Sequence, residues 1–118
     1  MERGFLMAKT VNVTLAGVEY QMPASYKVAK EIGQRVGDPL KMAIDAERGE
    51  IPWTFESVVD IIHIGAKAAG CALSHDDVGD ALMESGIPSA LEAAANLIGQ
   101  IVAGGPDKPL KGSASKKS

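Results

Sequence analysis

The chain has 118 residues, of which 46% are hydrophobic and 23% charged, with a net charge of −3. That is room for one small core with an ordinary globular balance, which excludes a disordered chain. Aromatic residues make up only 4% while Ala and Gly abound, so the core is expected to come from close-set helices with small contact residues, modestly stable and reliant on partners.

The charge is split along the chain. Through Gly105 there are 8 lysines and arginines against 14 carboxylates, and from Pro106 to Ser118 there are 4 lysines (Lys108, Lys111, Lys116, Lys117) against Asp107 alone. An acidic body with a short basic tail is not the pattern of a nucleic-acid binder, which carries its basic patch on folded elements. The single cysteine, Cys71, allows no internal disulfide and points to no oxidising compartment. The apolar start Phe5-Leu6-Met7-Ala8 is too short for the h-region of a signal peptide. Met7 opens MAKT, a second place where translation could start.

Residues 1–9 read as a flexible N-terminus. From Thr10 to Met22 the sequence TVNVTLAGVEYQM alternates apolar and polar residues on either side of Ala16-Gly17. Folded as a hairpin with a two-residue turn there, Leu15 faces Val18, Val13 faces Tyr20 and Val11 faces Met22, so one face is apolar throughout. No later segment reads as a third strand. A lone hairpin is marginal in water, so this face is expected on the helices, and the strand edges are left for another chain.

Helical patterns follow. Tyr26, Ala29, Ile32 and Val36 share the inner face of the first, stopped by Gly37. Asp38-Pro39 opens a second through Arg48, with Leu40, Ala43, Ile44 and Glu47 on one side. Thr54 caps a third carrying Phe55, Val58, Val59, Ile62 and Ala66, ended by Gly70. Ser74, with Asp77 three residues on, begins a fourth that closes at Gly86. Pro88 and Ser89 open the fifth, which runs to Gly104-Gly105. Its polar residues Glu92, Asn96 and Gln100 recur every fourth position, which makes it amphipathic and not a membrane span. The expected architecture is α+β, mainly α: one domain over residues 10–105, an N-terminal two-stranded hairpin on about five short helices, with a disordered basic tail over 106–118.

Motifs for chemistry are sparse. Asp76, Asp77 and Asp80 spell D-D-x-x-D, a pattern that can hold diphosphate through magnesium. It lacks a second acidic motif and reads as a helix first turn favourable to the dipole. His63, Cys71 and His75 are the only soft ligand types, too few and too ill-spaced for a zinc site, and His63 reads as a packed or rim histidine. No phosphate loop, dinucleotide fingerprint, nucleophile elbow or triad is present. The expectation is therefore no enzyme, no catalytic residue, no cofactor and no metal.

Two features point to other polypeptides. One is the hairpin, through Val11, Val13 and Tyr20. The other is the fifth helix, whose apolar arc (Leu91, Ala94, Ala95, Leu97, Ile98, Ile101, Val102) is broad for one small core. That helix is either central to the core or turns part of the arc toward another subunit or client. Val11, Val13, Tyr20, Leu91, Ile98, Ile101 and Val102 are the candidate partner-binding residues.

The order of LAGVEYQM, a helix ending KEIGQRVGDPL, a helix ending ERGE, and VVDIIHIGAKAAGCALSHDDVGDALMESG resembles the tail assembly chaperones of phages and gene transfer agents, proteins also described as phage tail tube proteins. The resemblance spans about Val11 to Val102. It is carried by Gly17, Tyr20, the glycines after each helix, and the pattern at Ala69, Gly70, Leu73, Ser74 and Val78. The segment Ser25 to Gly37 is more polar than that family's usual first helix, and the basic tail is idiosyncratic. The resemblance implies a non-enzymatic protein that binds the long tape measure protein, keeps it soluble in the host cytoplasm, self-associates, yields to tail tube protein as the tube grows, and is left out of the virion. Genes of that family often yield a longer frameshifted product as well, and Lys111 or Lys116-Lys117 are where a slippery codon run could stand. The competing reading is a structural tail tube or connector subunit retained in the particle. Tube subunits build rings from extended sheet, and this chain offers little strand.

Overall fold

A computed structural model describes residues 10–50 and 53–103. The expected flexible N-terminus (1–9) and basic tail (106–118) lie outside the described residues. Strands β1 (Thr10–Leu15) and β2 (Val18–Pro23) pair antiparallel in the register that the alternation predicts: Leu15 opposite Val18, Val13 opposite Tyr20, Val11 opposite Met22. At the turn, Ala16 has φ 53° and Gly17 φ 80°. Two successive positive φ values twist the chain as a two-residue hairpin requires. Gly17 adopts its value freely, whereas the Cβ of Ala16 makes its own costly.

Five helices follow among the described residues: α1 (Tyr26–Arg35), α2 (Pro39–Glu47), α3 (Phe55–Ala68), α4 (His75–Ser85) and α5 (Ile87–Ala103). Four begin at a side-chain oxygen that satisfies a free first-turn donor. Ser25 Oγ accepts from the Val28 amide at 3.3 Å, Asp38 Oδ1 from Leu40 at 3.0 Å, Thr54 Oγ1 from Ser57 at 3.0 Å, and Ser74 Oγ from Asp77 at 3.1 Å. The architecture is the expected one, a hairpin on a mainly α body.

The core is centred on α3 and α5. Ile61, Ile62 and Ile64 of α3 and Ala94, Leu97 and Ile98 of α5 are buried. Helix α5 packs against α2, α3 and β1, while α3 packs against α1, α4 and β2. The apolar hairpin face lies on this pair. Val11, Val13, Leu15 and Met22 are all buried, Tyr20 is half-buried, and Val18 beside the turn stays exposed. Close approach depends on Gly65 of α3: a Cβ there would lie 2.7 Å from Met22 Sδ and 2.9 Å from Leu97 Cδ2. The hairpin, α3 and α5 meet at that missing side chain.

Two helices are turned from the orientation their spacing predicts. On α1, Val28 and Ile32 are buried and Tyr26 is 79% exposed. Two aliphatic residues one turn apart form the inner face, and the Tyr26 hydroxyl stays in water, where it needs no protein partner. On α2, Leu40 and Ile44 are 54% and 42% exposed, while Met42 and Asp45 are buried. Asp45 tolerates burial because Lys41 Nζ reaches its Oδ2 at 2.9 Å. The same hydrogen bond and charge raise the Lys41 pKa.

Two stability outcomes follow. Ala16→Asn, placing a residue that tolerates positive φ, is expected to stabilise by about 1 kcal/mol, read as a higher urea midpoint at unchanged slope. Gly65→Val is expected to destabilise by about 1–3 kcal/mol through overpacking against Met22 and Leu97, read in the same titration.

Candidate interaction surfaces

The residues expected to meet partners do not form one exposed surface. Val11, Val13 and Ile98 are buried, and Tyr20, Leu91, Ile101 and Val102 are half-buried against the core. The physical reason is mutual cover: among the described residues β1 has no third strand beside it, and α5 packs on it. Val11, Val13 and Ile98 are therefore corrected from partner-binding to core residues. Of the two readings of α5, its position is the central one.

The open edge of β1 is not bare either. It borders a cavity of about 300 Å³ walled by Leu82 of α4 and by Ser89, Glu92 and Asn96 of α5, with Asn12 and Thr14 on the strand side. An added strand would have to fit between β1 and these helices.

What the surface does present is a set of large apolar side chains on helices. Leu40 and Ile44 sit one turn apart on α2, and Phe55, Met83 and Ile87 are also exposed. Phe55 and Met83 belong to a groove of about 590 Å³ between α3 and α4, with Val59 and Gly79 beside them and Glu56, Asp76 and Asp80 on its rims. At Gly79 the floor is low because the side chain is missing; a Cβ there would touch Val59 Cγ1 at 3.8 Å. Asp76 and Asp80, one turn apart, thus share a groove, while Asp77 supplies its amide to the Ser74 cap. Among the described residues, no group of three His, Cys, Asp or Glu side chains is placed to hold a metal ion.

One end of the groove is anchored by histidine chemistry. His75 Nε2 lies 2.6 Å from Asp60 Oδ1; the carboxylate accepts, so the Nε2 proton faces it. This bond ties the start of α4 to the middle of α3. The His63 ring stands edge-on to His75, centroids 5.6 Å apart and planes at 86°. Burial holds the His63 pKa below the ordinary histidine value, helped by the positive charges of His75, Arg35 and Lys67, while the Leu73 carbonyl pulls weakly the other way. His63 Nδ1 is buried without a hydrogen-bond partner among the described residues. On the hairpin side, the buried Cys71 sulfur beside Tyr20 favours the neutral phenol and, with burial as a smaller cause, raises its pKa. No described helix is long and apolar enough to cross a membrane.

Comparison with protein-family models, with curated proteins and with solved structures returns no match. The surface must therefore be read from its own chemistry. Met83 was legible in principle: Val78, Ala81 and Leu82 define the inner face of α4, and Met83 is rotated about 100° away from Leu82. Leu40 and Ile44 were not, because their spacing is that of a buried face.

Because burial disfavours protonated His63, the unfolded chain binds that proton more readily below its ordinary pKa of about 6.5. The His63 contribution to stability is thus neutral above that pH and turns unfavourable as pH falls through it. Urea midpoints are expected to drop between pH 7.5 and pH 5, and His63→Leu is expected to flatten part of that slope; an unchanged slope in the variant rejects the assignment.

Proposed function

We propose that this protein is a phage tail assembly chaperone. It binds and solubilises the tape measure protein in the host cytoplasm, without enzymatic activity, and leaves before the virion is complete. The observation that carries this reading is the pair Leu40 and Ile44 on α2, exposed at 54% and 42% although the core is closed beneath them. Exposed aliphatic residues one turn apart on a helix suit an apolar helix of another chain. The element order that resembles the family supports the same reading.

The energetics fit a holding role. Each patch is small, so one contact is weak and reversible, and affinity for a long repetitive client comes from many copies bound along it. The acidic body keeps such a coated client dispersed through like-charge repulsion. Exchange for tube protein then needs only local release, one copy at a time.

Co-expression with a tape measure protein from the same genome tests the proposal. The full chain is expected to raise the soluble fraction of the client and to co-purify with it. Leu40→Ser and Ile44→Ser are expected to lose this several-fold while their urea midpoints stay within about 0.5 kcal/mol of the parent, as exposed substitutions do. No gain in client solubility with the parent chain rejects the function; equal activity in the variants rejects the α2 face.

A further inference from the structure

We infer that the groove between α3 and α4 is the docking site of this chain's own basic segment, residues 106–118. The groove floor exposes Phe55 and Met83, the latter at 61%. Exposed apolar surface of this kind, rimmed by polar groups, marks a binding groove. Its rims carry Glu56, Asp76 and Asp80. The occupant it fits is therefore a short polypeptide with an apolar step flanked by cations.

Two segments of this chain outside the described residues pair apolar residues with cations: Arg3 to Lys9, with two cations, and residues 106–118, with four, and the larger positive charge favours the second. Residues 68–103, which include all of α4 and α5, carry five carboxylates and no lysine or arginine. Among the described residues, the rim carboxylate Asp76 has only His75 within ion-pair range, at 3.8 Å, and His75 is already bonded to Asp60. Past Lys67, the next cations in the chain are Lys108, Lys111, Lys116 and Lys117. Between the first two stands Pro109-Leu110, an apolar step bracketed by ammonium groups.

Reach is sufficient. Helix α5 ends at Ala103, and the stretch from there to Lys117 spans roughly 45–50 Å when extended. The longest dimension of the molecule is 44 Å. Covalent attachment also raises the local concentration of the segment to the millimolar range, so weak, screened contacts suffice. Docked there, the lysines neutralise the rims and Leu110 shields Phe55 and Met83. Any other basic, apolar chain must displace it to reach the groove. None of this depends on the identity of a client.

The test uses the full chain and its quadruple variant Lys108→Gln, Lys111→Gln, Lys116→Gln, Lys117→Gln, compared by NMR. Raising salt from about 10 mM to about 1 M shortens the screening length from about 30 Å to about 3 Å. At low salt, the Met83 methyl and Gly79 amide are expected to differ between the two chains. High salt is expected to move the full chain toward the variant, and dilution is expected to change neither. The Leu40 and Ile44 methyls on α2 are the control and should stay in place. Identical Met83 and Gly79 signals in the two chains overturn the proposal. So does a difference that fades on dilution, which assigns the groove to the segment of a second copy, and so does an equal shift at Leu40 and Ile44, which reports only a general change of field.

Discussion

Two strands cannot bury their own apolar face, and that constraint organises the molecule. The alternation in β1 and β2 places Val11, Val13, Leu15 and Met22 on one side, with no further strand among the described residues to share the load. Cover comes from α3 and α5, drawn close because Gly65 offers no side chain between Met22 and Leu97. Leu15 and Met22 end fully enclosed. A chain poor in aromatic rings gains its burial through such close contacts between aliphatic groups.

Committing α5 to the hairpin decides what remains for other chains. Most of the α5 arc and of the apolar strand face is turned inward, so the exposed large apolar side chains are peripheral, among them Leu40 and Ile44 on α2 and Phe55 and Met83 in the groove where α4 meets α3. These patches lie on short helices held by side-chain caps and a few ties, among them the His75–Asp60 bond and the Lys41–Asp45 pair. A protein whose stickiness is scattered in small patches can hold a partner repeatedly without locking onto it.

Electrostatics divide the molecule along the same line. The cations of the described residues lie between Lys27 and Lys67, and every charged side chain of α4 and α5 other than His75 is a carboxylate. The acidic half therefore contains the apolar groove, while of the chain's remaining cations four follow α5 and two, Arg3 and Lys9, precede β1. Uncompensated charge of one sign beside exposed apolar surface favours an occupant carrying both complementary features.

The sequence by itself determined the local structure. Hairpin register was legible because a one-residue slip would invert every side chain in it, and three helix starts were legible because Asp38, Thr54 and Ser74 cap within three residues, whereas the Ser25 cap of α1 emerged only in the structure. Which way each helix faces was decided only in three dimensions. On α2 the spacing of Leu40, Ala43 and Ile44 describes an inner face as well as Met42 and Asp45 do, and the Lys41 partner makes the burial of Asp45 tolerable. On α5 the apolar arc was visible, yet whether it met the hairpin or a partner was settled by its packing on β1. Periodicity records a face and its width; what that face touches is set by competition among all the faces in the fold.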